Sequence, residues 1–193
     1  MLGEVLNMTV EDIFSAIAQH MIKGMMTHEQ LSNMYMFLGL PGYACCHNYH
    51  FLAETMSYRK LCKYYINHHG KLIDEGKIEN PGIIPESWYR YERKDVDIST
   101  KKNAVRSGLE KWHAWETATK KLYEQMYVEL INQNEVASAE FVKGLVCDVD
   151  HELKKVEGYW LDKTATNFEL PRIIAEQVKK HDKYKKKIAC LTA

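Results

Sequence analysis

"EGKIENPGIIPESWYRYERKDVDIST", residues 75–100, decides how the rest of this chain must be arranged. It holds two prolines and two glycines and shows no sustained hydrophobic period, so no regular element is expected to run through it. At roughly 25 residues it is longer than the ordinary connections of compact domains. Such a segment either carries function or has far to travel. On each side lies a pair of long segments with helical periodicity, joined in each case by a short turn. A four-helix bundle with one long crossover has this connectivity, because the crossover must return along the whole bundle before the third helix begins.

Working outward, Thr9 followed by Asp12 is an N-cap signal, after which Val10, Ile13, Ile17, Met21 and Met25 carry helical spacing toward Leu40. Gly39, Pro41 and Gly42 in "LGLPGYA" disfavour continuing that helix, and a second periodic segment runs from about Tyr43 to Asp74. Ser99 or Thr100 is placed to cap a third helix, whose apolar positions Leu109, Trp112, Tyr123, Met126 and Leu130 persist until "NQNE". A fourth runs from about Ala137 to Thr164 with Val142, Leu145, Val149, Leu153, Val156 and Trp160 facing inward. A last amphipathic segment begins near Pro171. The expectation is an all-α fold in a single domain, an antiparallel four-helix bundle over about residues 9–165 with an extra C-terminal helix over about 169–190.

Composition narrows the function classes. Of 193 residues 46% are hydrophobic, enough for a sizeable core, and 26 basic residues balance 26 acidic ones. No global field therefore recruits nucleic acid or an acidic membrane. Five cysteines form an odd set without a CxxC pair, and the start lacks a signal peptide's charged-then-apolar pattern, so a cytoplasmic protein is expected. No apolar run approaches the eighteen or so residues of a membrane span, and no membrane partner is expected.

The chemistry is sought in acids that share a face with the core. In "HNYHFLAETMSYRKL", residues 47–61, Glu54 points the same way as Phe51, Tyr58, Leu61 and, beyond the stretch, Tyr65. A buried acid needs a partner, a proton or a metal. Glu29 lies among Ile22, Met25, Met26 and Met36 at similar offsets; Glu116 has Leu109, Trp112 and Tyr123; Glu152 has Leu145, Val149 and Val156. Each long helix thus offers one inward-leaning glutamate. Glu29 and Glu54 stand about 12 and 13 residues from Pro41, and Glu116 and Glu152 about 18 from Asn134, so each hairpin puts its pair at one level.

The segments "THEQLSNMYMFLGL", "FLAETMSYRKL" and "WHAWETATKKLYEQ", together with the long crossover, give the chain a layout that resembles the ferritin-like superfamily. In that family a glutamate from two helices and a Glu-x-x-His motif from the other two hold a pair of iron or manganese ions. The resemblance implies Glu29, Glu54 and Glu116 as metal ligands and Glu152 as a fourth. Both Glu-x-x-His motifs are incomplete: Ser57 stands at the histidine position after Glu54, and Val149 at the acid position before Glu152, with Asp148 and His151 nearby.

Two functions follow. The first is an atypical carboxylate-rich di-metal site for iron or manganese, involved in iron binding or oxidation, in a chain that forms homo-oligomers as the family does. The second is a metal-free bundle that binds a protein or nucleic-acid partner through the aromatic and arginine-rich crossover or the basic run from Lys179 to Lys187. His47, His50 and Glu54, spaced i, i+3 and i+7, form one side of a metal site if a further histidine meets them. His68 and His69 read as helix-end cations, Cys45 and Cys46 as small buried hydrophobes, and Trp112, Trp115, Tyr123 and Tyr127 as core.

Overall fold

The computed structural model describes residues 8–90, 92 and 96–192, so Tyr91, Arg93 and Lys94 of the crossover's aromatic and arginine-rich run lie outside the described residues, as do the ends of the expected domain. Among the described residues are five α-helices: α1 Val10–Phe37, α2 Pro41–His69, α3 Ile98–Asn132, α4 Val136–Ala165 and α5 Leu170–Thr192. α1 pairs with α2 and α3 with α4 as antiparallel hairpins, and among the described residues between α2 and α3 there is one short 3-10 helix, Glu86–Arg90.

Local chemistry sets the helix ends. Thr9 and Asp12 form a reciprocal capping box at the start of α1. α1 stops at Phe37 rather than near Leu40, because Gly39 takes a left-handed conformation and the Leu40 amide donates back to the Tyr35 carbonyl at 2.8 Å. Pro41 then opens α2 at the first helical position, where its missing N–H costs nothing. Gly70, also left-handed, ends α2 short of Asp74. The cap of α3 is Asp97, whose carboxylate accepts from the Thr100 amide at 2.6 Å, and not Ser99 or Thr100, which lie in the first turn.

The crossover is pinned where it passes the bundle. Gln30 of α1 donates to Asn80 and accepts from the Ile83 amide, and Lys111 of α3 donates to the Ile83 carbonyl. Ile83 is buried among the side chains that close this end of the core.

α5 changes the bundle. It lies along the first half of α2 and reaches α4 through paired tyrosine hydroxyls, Tyr159 and Tyr184 at 3.1 Å, and through the Lys163–Glu176 ion pair. α2 and α4 do not pack along their lengths. At the opposite end their side chains meet, with Tyr64 stacked on Phe141 and both Tyr64 and His69 reaching Ser138. Between these two closures the α2–α4 seam is open.

Gly42 is where α5 docks most closely. Its amide donates to the Gln177 side chain, and a Cβ at this position would overlap the Gln177 carbonyl. Gly42→Ala is expected to cost about 1–3 kcal/mol and to speed proteolytic release of α5, measured by thermal unfolding and limited digestion. Unchanged stability and digestion would contradict this docking.

Candidate metal centre

The open seam leads into a cavity of about 240 Å³ in the middle of the bundle. Its walls include Met21 from α1, His50, Ala53, Glu54 and Ser57 from α2, Glu116, Thr119 and Tyr123 from α3, and Leu145, Val149 and Glu152 from α4. Asp148 and His151 are exposed at its mouth. Three of the four glutamates expected to converge do so: Glu116 is buried, and Glu54 and Glu152 are partly buried.

Glu29 is not among them. It is exposed, accepts a hydrogen bond from Asn33 at 3.3 Å and borders an outer apolar groove with Met25, Met26 and Phe51. His28, one residue earlier, occupies the inward place and is 1% exposed. Its neighbours at helical spacing, Met21, Gly24, Leu31 and Tyr35, are all buried.

His28 also supplies the partner that His47 and His50 require. The rings of His28 and His47 meet Nδ1 to Nδ1 at 3.0 Å, and His50 lies 5.2 Å from His28 between ring centres. Burial depresses all three: His28 is lowered to about 3, and His47 and His50 are held well below the ordinary histidine range, with mutual repulsion adding to the effect. The rings are therefore neutral, and the facing Nδ1 atoms of His28 and His47 share one proton, one ring donating and the other accepting.

Two imidazole nitrogens, Nε2 of His28 and Nε2 of His50, are sealed from water without a hydrogen-bond partner, as are the Trp115 indole nitrogen and the Tyr43 hydroxyl elsewhere in the bundle. His28 Nε2 stands 4.0 Å from Glu116 Oε1, and His50 Nδ1 stands 3.8 Å from Glu152 Oε2. These gaps are too long for hydrogen bonds. Among the described residues, no three His, Cys, Asp or Glu side chains are drawn together to chelating distance as they stand.

The carboxyls are supported unequally. Glu116 Oε1 accepts from the Trp112 indole at 2.8 Å, while Glu152 is gripped by Lys155 at 2.6 and 2.5 Å. Burial raises Glu116 to about 7, against the pull of the Trp112 hydrogen bond. Glu54 is pushed up to about 8, first by burial of its carboxyl and then by the neighbouring Glu116 and Glu152. Tyr123, which faces both acids, has its hydroxyl raised well above its ordinary value by burial.

These shifts fix the pH response of the metal-free chain. The raised Glu54 and Glu116 stabilise the fold fully below the unfolded carboxyl value, and that contribution is lost as pH rises through about 7 and about 8. The depressed His20 and His28 act in the opposite sense, their contribution being present above 6.5 and lost as pH falls toward about 4 and about 3. Glu54→Gln is expected to stabilise the metal-free chain at pH 9 by on the order of 2 kcal/mol and to be nearly neutral at pH 5. A mutant-minus-wild-type difference that does not change between these pH values, measured by chemical denaturation, would contradict the buried placement of this carboxyl.

No family model matches the sequence, and no curated protein matches it. Among solved structures, a ferritin of Archaeoglobus fulgidus, engineered into a closed form by site-directed mutagenesis, aligns with a TM-score of 0.73 at 11% sequence identity, covering 91% of this chain and 97% of that one. Identity this low speaks for shape alone. With its two antiparallel hairpins, its long crossover and its added C-terminal helix, the protein has the ferritin-like fold.

Proposed function

We propose that the cavity is a binding site for a divalent transition metal, iron or manganese, held by His28, His50, Glu54 and Glu116, with Glu152 at its rim. The observation that carries this reading is the pair of sealed imidazole nitrogens without partners, set near the buried Glu116 and the partly buried Glu54. An orphaned buried nitrogen is costly unless something not made of protein meets it. The donor set suits such an ion, since imidazole and carboxylate together favour borderline and hard divalent metals. The gap of 4.0 Å between His28 Nε2 and Glu116 Oε1 is close to two metal–ligand bonds of about 2.0–2.2 Å. The Archaeoglobus fulgidus ferritin shares the fold in which this cavity lies.

Iron bound here would supply one-electron and oxygen chemistry; manganese would supply a related redox or Lewis-acid capacity. The chain's own residues do the rest. A metal on His28 Nε2 requires the tautomer in which His28 Nδ1–H donates to His47 Nδ1, a contact of 3.0 Å that orients the ring. Trp112 donates to Glu116 Oε1, the oxygen that faces His28, and so fixes the orientation of the carboxyl. Met21, Leu145 and Val149 limit water inside the cavity, while Asp148 and His151 meet cations arriving at the mouth. On binding, Glu54 and Glu116 give up protons.

Protein purified without chelator is expected to carry stoichiometric iron or manganese by elemental analysis, and to lose it in His28→Ala and Glu54→Ala variants that retain helical content. His47→Ala is expected to weaken binding by about 10- to 100-fold without abolishing it, read by chelator competition. Folded wild-type protein that takes up neither metal would remove this reading and leave the partner-binding alternative, through the crossover or α5.

A further inference from the structure

The ferritin-like resemblance implies two ions per bundle, and the side chains around this cavity do not supply what a pair needs. We propose that the site holds one divalent cation, on His28, His50, Glu54 and Glu116, with Glu152 outside the coordination shell. The inference rests on the metal-binding reading above and concerns how many ions the interior accepts.

Charge is the first argument. A ligating imidazole carries no charge, so the anionic donors inside the cavity are the buried Glu116 and the partly buried Glu54. Two carboxylates cancel one divalent charge and leave the site neutral. A second ion would put two uncompensated positive charges among Met21, Leu145, Val149 and Tyr123, at an effective penalty of several kcal/mol per ion.

The other acids do not make up the difference. Glu152 already shares its charge with Lys155 through both carboxylate oxygens, at 2.6 and 2.5 Å, and its side chain is 27% exposed. Glu29 is on the outer face of α1. Asp148 is exposed at the mouth, where an ion keeps much of its own water and is held weakly.

Donor positions are the second argument. One turn beyond Glu54 stands Ser57, and one turn before Glu152 stands Val149, which has no donor atom. Within the cavity a second ion would find the hydroxyls of Ser57, Thr119 and Tyr123 and a lysine-bound carboxylate, with Asp148 and His151 only at the exposed mouth. The first ion finds two orphaned imidazole nitrogens, the buried Glu116 and the partly buried Glu54.

The test is a titration of the chelator-stripped full chain with manganese(II), followed by native mass spectrometry and electron paramagnetic resonance. One ion per chain with the hyperfine pattern of an isolated manganese is expected. Glu152→Gln is expected to change the dissociation constant by less than about threefold, whereas Glu54→Gln and Glu116→Gln each weaken it by more than about tenfold. Two ions per chain with an exchange-coupled spectrum would overturn the inference while leaving the metal-binding reading in place. So would a loss of affinity in Glu152→Gln equal to that in Glu54→Gln. Failure of the folded wild type to bind any manganese or iron would overturn both.

Discussion

A helical bundle can bury ionisable side chains only if each finds a proton, a hydrogen bond or an opposite charge, and this constraint governs the interior of the present chain. His28, His47 and His50 give up their charge on burial; Glu54 and Glu116 hold their protons to unusually high pH; Glu152 borrows a charge from Lys155. After those settlements two imidazole nitrogens, on His28 and His50, are still without a partner. The rest of the site can be understood as support for those two atoms: Trp112 beneath Glu116, His47 behind His28, and an apolar wall that keeps the surrounding dielectric low.

Much of the architecture was legible in the sequence. The uninterrupted periods of the four long helices, the Thr9–Asp12 cap and the length of residues 75–100 each lead to the bundle, and helix ends moved by only a few residues where Gly39, Gly70 and Asp97 set the exact stop or start. The site was legible in part. Glu54, Glu116 and Glu152 line the same cavity, but α1 was read one residue out of register. The reason is physical: α1 carries methionines on two faces, and Ile22, Met25 and Met26 belong to an outer groove and not to the core. The stripe of Met21, Gly24, Leu31 and Tyr35 identifies the inner face and brings His28 to it. A glycine and a histidine in that stripe lower its apparent hydrophobicity, which is why a count of apolar neighbours prefers Glu29. The partner that His47 and His50 lacked on paper was this same histidine, and periodicity alone does not reveal contacts between helices.

The shared fold and the differing donors fit together. A ferritin-like bundle brings four helix faces to one axial level, and that geometry is a property of helix length and turn placement. Which atoms sit at that level is a separate matter. Here a histidine on α1 and an i, i+4 His50–Glu54 pair on α2 occupy the level, and the complement on α4 is thin. The chain keeps the scaffold while its interior chemistry leans toward nitrogen.

The wedge formed by α5 has one more consequence. None of its side chains lines the cavity, yet its contacts with Tyr43, Tyr49 and Tyr159 bridge α2 and α4 along one half of their seam. The approach to the cavity and the side chains that line it are thus encoded in different stretches of the chain. Drift along residues 170–192 can alter that approach while leaving every lining residue where it is, so access to the interior is free to evolve independently of its lining.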